Sequence, residues 1–165
     1  VVAELVKGIK PKKLRVDKIR LNLLNALRAE GKIIEREFEK TTRTWQGEKP
    51  KFETLIGLTG QDATVIVGPA GSQHAVDKWV WADEGTRAHI IRAKRVPNLI
   101  FRTGYKAKTK VGSFSSGAGG SFGPFRRKKQ VRHPGTRARG WSVLIVKRRK
   151  KPFTKSILKA ARVVT

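Results

Sequence analysis

Cysteine is absent from the 165-residue chain. Its absence excludes disulfides, thiol chemistry and the commonest structural zinc sites, and it suits assembly in a reducing cytoplasm. No apolar stretch approaches the roughly eighteen residues of a membrane span. The first twenty residues, VVAELVKGIKPKKLRVDKIR, hold no long apolar run and no small-residue cleavage pattern, so no secretory signal is expected. Acid is missing from half of the chain. All 12 Asp and Glu lie at or before Glu84, so residues 1–84 carry 15 bases and 12 acids, whereas residues 85–165 carry 23 bases and no acid. Internal ion pairs cannot neutralise such a surface; it repels its own copies unless a polyanion or an acidic protein lies beside it.

What is present reads first as a helix. Over residues 12–43, Val16, Ile19, Leu23, Leu27, Ile34 and Phe38 recur at three- and four-residue steps and form one stripe. Gly31 interrupts it and predicts a kink or a break. After the polar turn QGEKP (46–50) the period becomes two. Phe52, Thr54, Ile56 and Leu58, then Ala63, Val65 and Val67 across the turn Gly60-Gln61-Asp62, predict a hairpin ended by GPAGS (68–72). Ala75–Ala82 reads as a third strand with Trp79 and Trp81 on one face, and short strands follow at Ala88–Ala93 and Leu99–Arg102.

Residues 103–129 are rich in glycine and serine and carry Phe114, Phe122 and Phe125 at intervals. They predict an exposed loop or arm that orders on a partner. From Gly140 onward Trp141, Leu144, Ile145, Phe153, Ile157, Leu158 and Ala161 restore a helical pattern, with Pro152 kinking or splitting it. The expected fold is therefore α+β, one domain over 1–165. A long N-terminal helix packs on a small, mostly antiparallel sheet, and the long loop precedes a C-terminal helix.

Chemistry finds little footing. His74, His89 and His133 are far apart in sequence, with no HxxxH or HExxH spacing, so neither a metal nor a catalytic site is expected. No serine sits in a GxSxG elbow, and the glycine-rich GSFSSGAGGSFG lacks the lysine of a phosphate-cradling loop. No enzyme activity and no cofactor are implied. Phosphate neutralisation is better served, by Arg126, Arg127, Lys128 and Lys129 and by Lys147, Arg148, Arg149, Lys150 and Lys151. No signature of base-specific readout accompanies them.

Three short signatures occur in order after the first helix: WADEGTRAHIIRAK (81–94), LIF (99–101) and VRHPGTRARGW (131–141). In this arrangement the chain resembles the neck and minor tail proteins of tailed bacteriophages, described as tail-completion or head–tail joining proteins. Where members often place proline before the first histidine, this chain has Ala88. The resemblance implies that Gly85, Thr86 and His89 form a turn entering a strand. It implies likewise that His133, Pro134, Gly135 and Thr136 form the turn feeding the last helix, with Thr136 as its cap. It further implies a ring, six-fold by analogy with tail tubes, in the neck or tail of a virion assembled in the bacterial cytoplasm. The implied neighbours are neck, tail-terminator or tail-tube proteins, with non-specific contact to genome DNA and no membrane. The alternative from composition alone is a non-enzymatic nucleic-acid-binding module of ribosome-associated or DNA-packaging type.

Overall fold

The computed structural model describes residues 16–59, 62–114 and 119–162. The expected helix positions 12–15, part of the Gly60-Gln61-Asp62 turn and residues 115–118 of the expected loop lie outside them. The apolar stripe forms α1, Val16–Thr42, and the helix runs unbroken through Gly31. A Cβ on Gly31 would lie 2.5 Å from Cγ2 of Thr54. The glycine is there to let helix and strand approach closely, which is a packing reason rather than a conformational one.

The period-two segments form β1, Lys51–Thr59, and β2, Asp62–Ala70, antiparallel from Lys51↔Ala70 to Thr59↔Asp62. Phe52 is buried on the face toward α1, while Leu55 and its register partner Ile66 are exposed on the other. One expectation fails next. Residues 73–84 are not a strand but a helix, α2, Gln73–Glu84. Ser72 caps it by accepting from the Ala75 amide at 3.3 Å, and Gly85 with φ 81° follows its last residue. Trp79 and Trp81 consequently part company: Trp79 is 4% exposed and Trp81 is 53% exposed. Successive residues turn by about 100° in a helix, so residues two apart cannot share a face.

The core is where three helices and the hairpin meet. Phe38 stacks on Phe52 at 5.3 Å between ring centres, and Trp79 stands edge-on to both at 5.6 and 5.5 Å. Trp141 and Ile145 of α3, Trp141–Arg162, close the cluster. The Trp79 indole N–H donates to Thr41 Oγ1 at 2.8 Å, so its one polar atom is satisfied inside the core. Of the two expectations at Pro152, the split is not met: α3 is a single helix with Pro152 inside it.

Past this cluster α1 and α3 run on as an antiparallel pair, joined by Arg149 to Glu30. No residue of α1 before Leu27 and no residue of α3 after Ile145 is buried. Leu158, expected on the apolar face, is 52% exposed.

Candidate functional site

The two Gly-Thr turns meet in space. The Thr86 amide donates to the Thr136 carbonyl at 2.9 Å, and the Thr136 amide returns a bond to the Thr86 carbonyl at 3.1 Å. The Thr136 amide also reaches Thr86 Oγ1 at 2.9 Å. Gly85 and Gly135 hold φ of 81° and 89°, and each is pressed against the opposite turn. A Cβ on Gly135 would lie 2.2 Å from the Thr86 carbonyl oxygen, and one on Gly85 2.5 Å from that of Thr136. Only glycine permits both the backbone conformation and the approach.

The histidines serve the same junction. His89 and His133 are register partners with ring centres 5.0 Å apart. The His89 Nδ1 lies 2.9 Å from the Arg87 carbonyl, and the His133 Nδ1 accepts from the Gly135 amide at 3.1 Å. Among the described residues no three of His, Asp and Glu gather where a metal ion could sit.

Thr136 does not cap α3. That role falls to Asp83, a buried residue at the end of α2, which sequence reasoning missed. Its Oδ1 accepts from the Trp141 amide at 2.5 Å and the Ser142 amide at 3.2 Å, and Oδ2 accepts from the Ser142 hydroxyl. The Arg139 and Gly140 amides meanwhile donate to the Ala82 and Asp83 carbonyls at 3.1 and 3.0 Å. The orphan acceptors of one helix end and the orphan donors of the next helix start satisfy one another. Pro134 occupies the exposed corner between His133 and Gly135.

From this junction a two-stranded ribbon departs. It is built of β3, His89–Arg92, against β8, Gln130–His133; β4, Leu99–Arg102, against β7, Phe125–Lys128; and β5, Tyr105–Lys106, against β6, Gly120–Ser121. Bonds from the Ala93 amide to the Lys129 carbonyl and from the Thr103 amide to the Pro124 carbonyl carry the pairing across the gaps. Much of 103–129 is thus paired strand rather than the expected patternless loop. Its tip turns back to the body: the Gly112 amide donates to the Arg139 carbonyl at 3.0 Å, and the Trp141 indole donates to the Ser113 carbonyl at 3.2 Å. Phe114, expected to be exposed, packs against the core with the Arg148 guanidinium 4.7 Å from its ring centre. Phe122 and Phe125 are exposed, and Arg102 lies over the Phe125 ring at 4.6 Å.

The two basic runs separate by use. Arg126, Arg127 and Lys128 are exposed on β7, with exposed Lys129 beside them. In α3, Arg149 is spent internally on Glu30 at 2.5 Å, while Lys147, Arg148, Lys150 and Lys151 are exposed, the Arg148 guanidinium lying over the Phe114 ring. At about 100° per residue, Lys147, Lys151, Lys155, Lys159 and Arg162 fall within an arc of about 120°, which also contains Arg148, turned over Phe114. The middle of that arc lies about 140° from the side that carries Ile145, Arg149 and Phe153, with Lys159 at the edge nearest that side. Four of its members follow one another at four-residue steps, where like charges oppose the helix by about 0.2–0.5 kcal/mol per pair.

No family model, curated protein or solved structure matches the chain.

Proposed function

We propose that the chain is a structural subunit of a tailed-bacteriophage virion, a tail-completion or head–tail joining protein that forms a ring in the neck or tail around the DNA channel. The observation that supports this best is the ribbon launched where the two motifs of the resemblance pair. All four residues of β3 and all four of β7 are exposed. A two-stranded ribbon in which β4 and β8 are no more than half-buried at alternate residues is marginal in water. It gains stability when neighbours cover it. The paired helices beyond Leu27 and Ile145 expose Val16, Leu21 and Leu158 in the same unfinished way.

The histidine pair and the buried carboxylate of Asp83 are both consumed by holding turns and helix ends. No helix among the described residues is long and apolar enough to cross a membrane. The test is assembly of the purified full chain, followed by light scattering and electron microscopy at moderate salt. Closed rings of one copy number are expected, joining portal-bearing heads to tails in an extract; a chain that stays monomeric at tens of micromolar, on the order of the weakest useful subunit affinities, refutes the reading.

A further inference from the structure

We propose that the outer arc of α3 is a rail for the sugar–phosphate backbone of duplex DNA. This deepens the ring reading and rests on it only for which duplex is met, the one threading the ring.

The argument begins with placement. Lys147, Lys151, Lys155, Lys159 and Arg162 are all exposed, on an arc centred about 140° from the side of α3 that carries Ile145, Arg149 and Phe153. Four-residue steps set the lysines about 6 Å apart along the axis, and the five cations span about 22 Å. Among the described residues no acid is paired with them. The chain has none after Glu84, and the buried acid of α1 facing α3, Glu30, is already matched by Arg149. A helix that accumulates like charges at this spacing is relieved by a rigid polyanion lying alongside it. Duplex DNA offers one charge per about 1.7 Å of axis and releases condensed counterions when lysines replace them.

The composition of the arc favours the duplex over other polyanions. Single strands are held on aromatic platforms, and no aromatic residue lies among these five; Phe153 sits half-buried on the opposite side. A protein partner would be anchored by large side chains filling pockets, and the exposed large apolar residues beside the cations are Val143 and Leu158, two aliphatics with no aromatic anchor between them. Lysines act as point charges without the paired geometry of base recognition, so contact is with phosphate and independent of sequence.

Fluorescence anisotropy of the full chain with a mixed-sequence duplex of about 24 base pairs tests this over about 50–200 mM salt. Five phosphates neutralised per subunit give a slope of about −4.5 in log affinity against log salt, a fall of roughly 500-fold across that range. The triple variant Lys151→Gln, Lys155→Gln, Lys159→Gln should flatten the slope by at least about two, with light scattering unchanged. The ribbon variant Arg126→Gln, Arg127→Gln, Lys128→Gln should leave the slope alone. Rings that bind no duplex at low salt overturn the rail and leave the ring standing. A monomer that binds duplex through α3 supports the rail and overturns the ring. Loss of binding in the ribbon variant but not the α3 variant, tighter binding of a single strand, or capture of polyglutamate in place of duplex each overturns the rail.

Discussion

Thr86 and Thr136, each preceded by a glycine of positive φ, form an isolated antiparallel bridge that joins the two most distinctive turns of the chain. The bridge is the root of the ribbon. Beside it Asp83 fixes the start of α3, so ribbon and helix leave the body from one rigid point. That geometry makes Gly135 intolerant. Gly135→Ala meets the Thr86 carbonyl at 2.2 Å while still requiring φ of 89°. The conformation alone costs about 1–2 kcal/mol, and the collision adds to it. A loss of at least about 3 kcal/mol in urea unfolding is expected. Gly47→Ala is the control: φ is 77° there but no atom stands within 4 Å, so the loss should stay near 1 kcal/mol. Equal losses at the two positions would show that the approach of the turns does not matter.

Gly31→Ala opposes two effects of known sign. Helix propensity favours alanine by about 1 kcal/mol. The new methyl would sit 2.5 Å from Thr54 Cγ2, and overpacking of this kind costs about 1–3 kcal/mol. Net destabilisation is expected. Thr54→Ser removes that methyl and keeps the hydroxyl, which donates to Glu35 at 2.6 Å. The double variant should therefore recover most of the loss, read as a favourable coupling in a thermal-unfolding cycle.

The same glycine shows what the sequence could reveal. The stripe of α1 and the alternation of β1 and β2 were legible because each repeats over many residues. A close approach between two elements leaves no local trace, so Gly31 reads as a breaker until the strand beside it is known. Residues 73–84 misled for a different reason. Trp79-Val80-Trp81-Ala82 imitates strand alternation, and only the frame around it, Ser72 as cap and Gly85 as stop, signals a helix twelve residues long. The Gln73–Asp77 contact at 2.6 Å is a four-residue spacing that agrees with that frame. At the candidate site, the turns at Gly85-Thr86 and His133–Thr136 were legible one by one. That they bond to each other, and that Asp83 rather than Thr136 caps α3, are facts of tertiary pairing. The run 147–151 likewise looks uniform in sequence, and burial alone divides it.

Asp83→Ala should expose that hidden cap. The Trp141 and Ser142 amides would lose their acceptor at a buried helix start. A lost cap costs about 0.5–2 kcal/mol and a buried unsatisfied amide about 1–3 kcal/mol. A total of about 2–4 kcal/mol is expected, seen in tryptophan fluorescence during urea unfolding because Trp141 sits on the cap. Asp83→Asn retains one acceptor oxygen and should lose less than half as much. Equal losses in the two variants would mean that charge at the helix start, rather than the acceptor, is what matters.

Arg149 is the member of its run that belongs to the fold. It bonds Glu30 through Nη2 at 2.5 Å, while its buried Nε has no partner among the described residues. Glu30 is 6% exposed, so a variant that removes the cation leaves a carboxylate stranded between α1 and α3. Arg149→Met should cost about 3–5 kcal/mol for that reason. Taking both charges away changes the sign of the argument, because the desolvation of each is recovered together. The double variant Glu30→Leu, Arg149→Met should lie within about 1 kcal/mol of the native chain or above it. Arg149→Lys completes the series. It keeps one cation for Glu30 and removes the unpartnered Nε, so its cost should be about 1 kcal/mol or less. Unfolding of the three variants in urea decides the matter: a double variant as unstable as Arg149→Met would show that the pair contributes packing or orientation beyond charge balance. Charge-neutralisation experiments on α3 must therefore spare Arg149 and change the exposed lysines around it, since otherwise a folding defect would be mistaken for a lost partner contact.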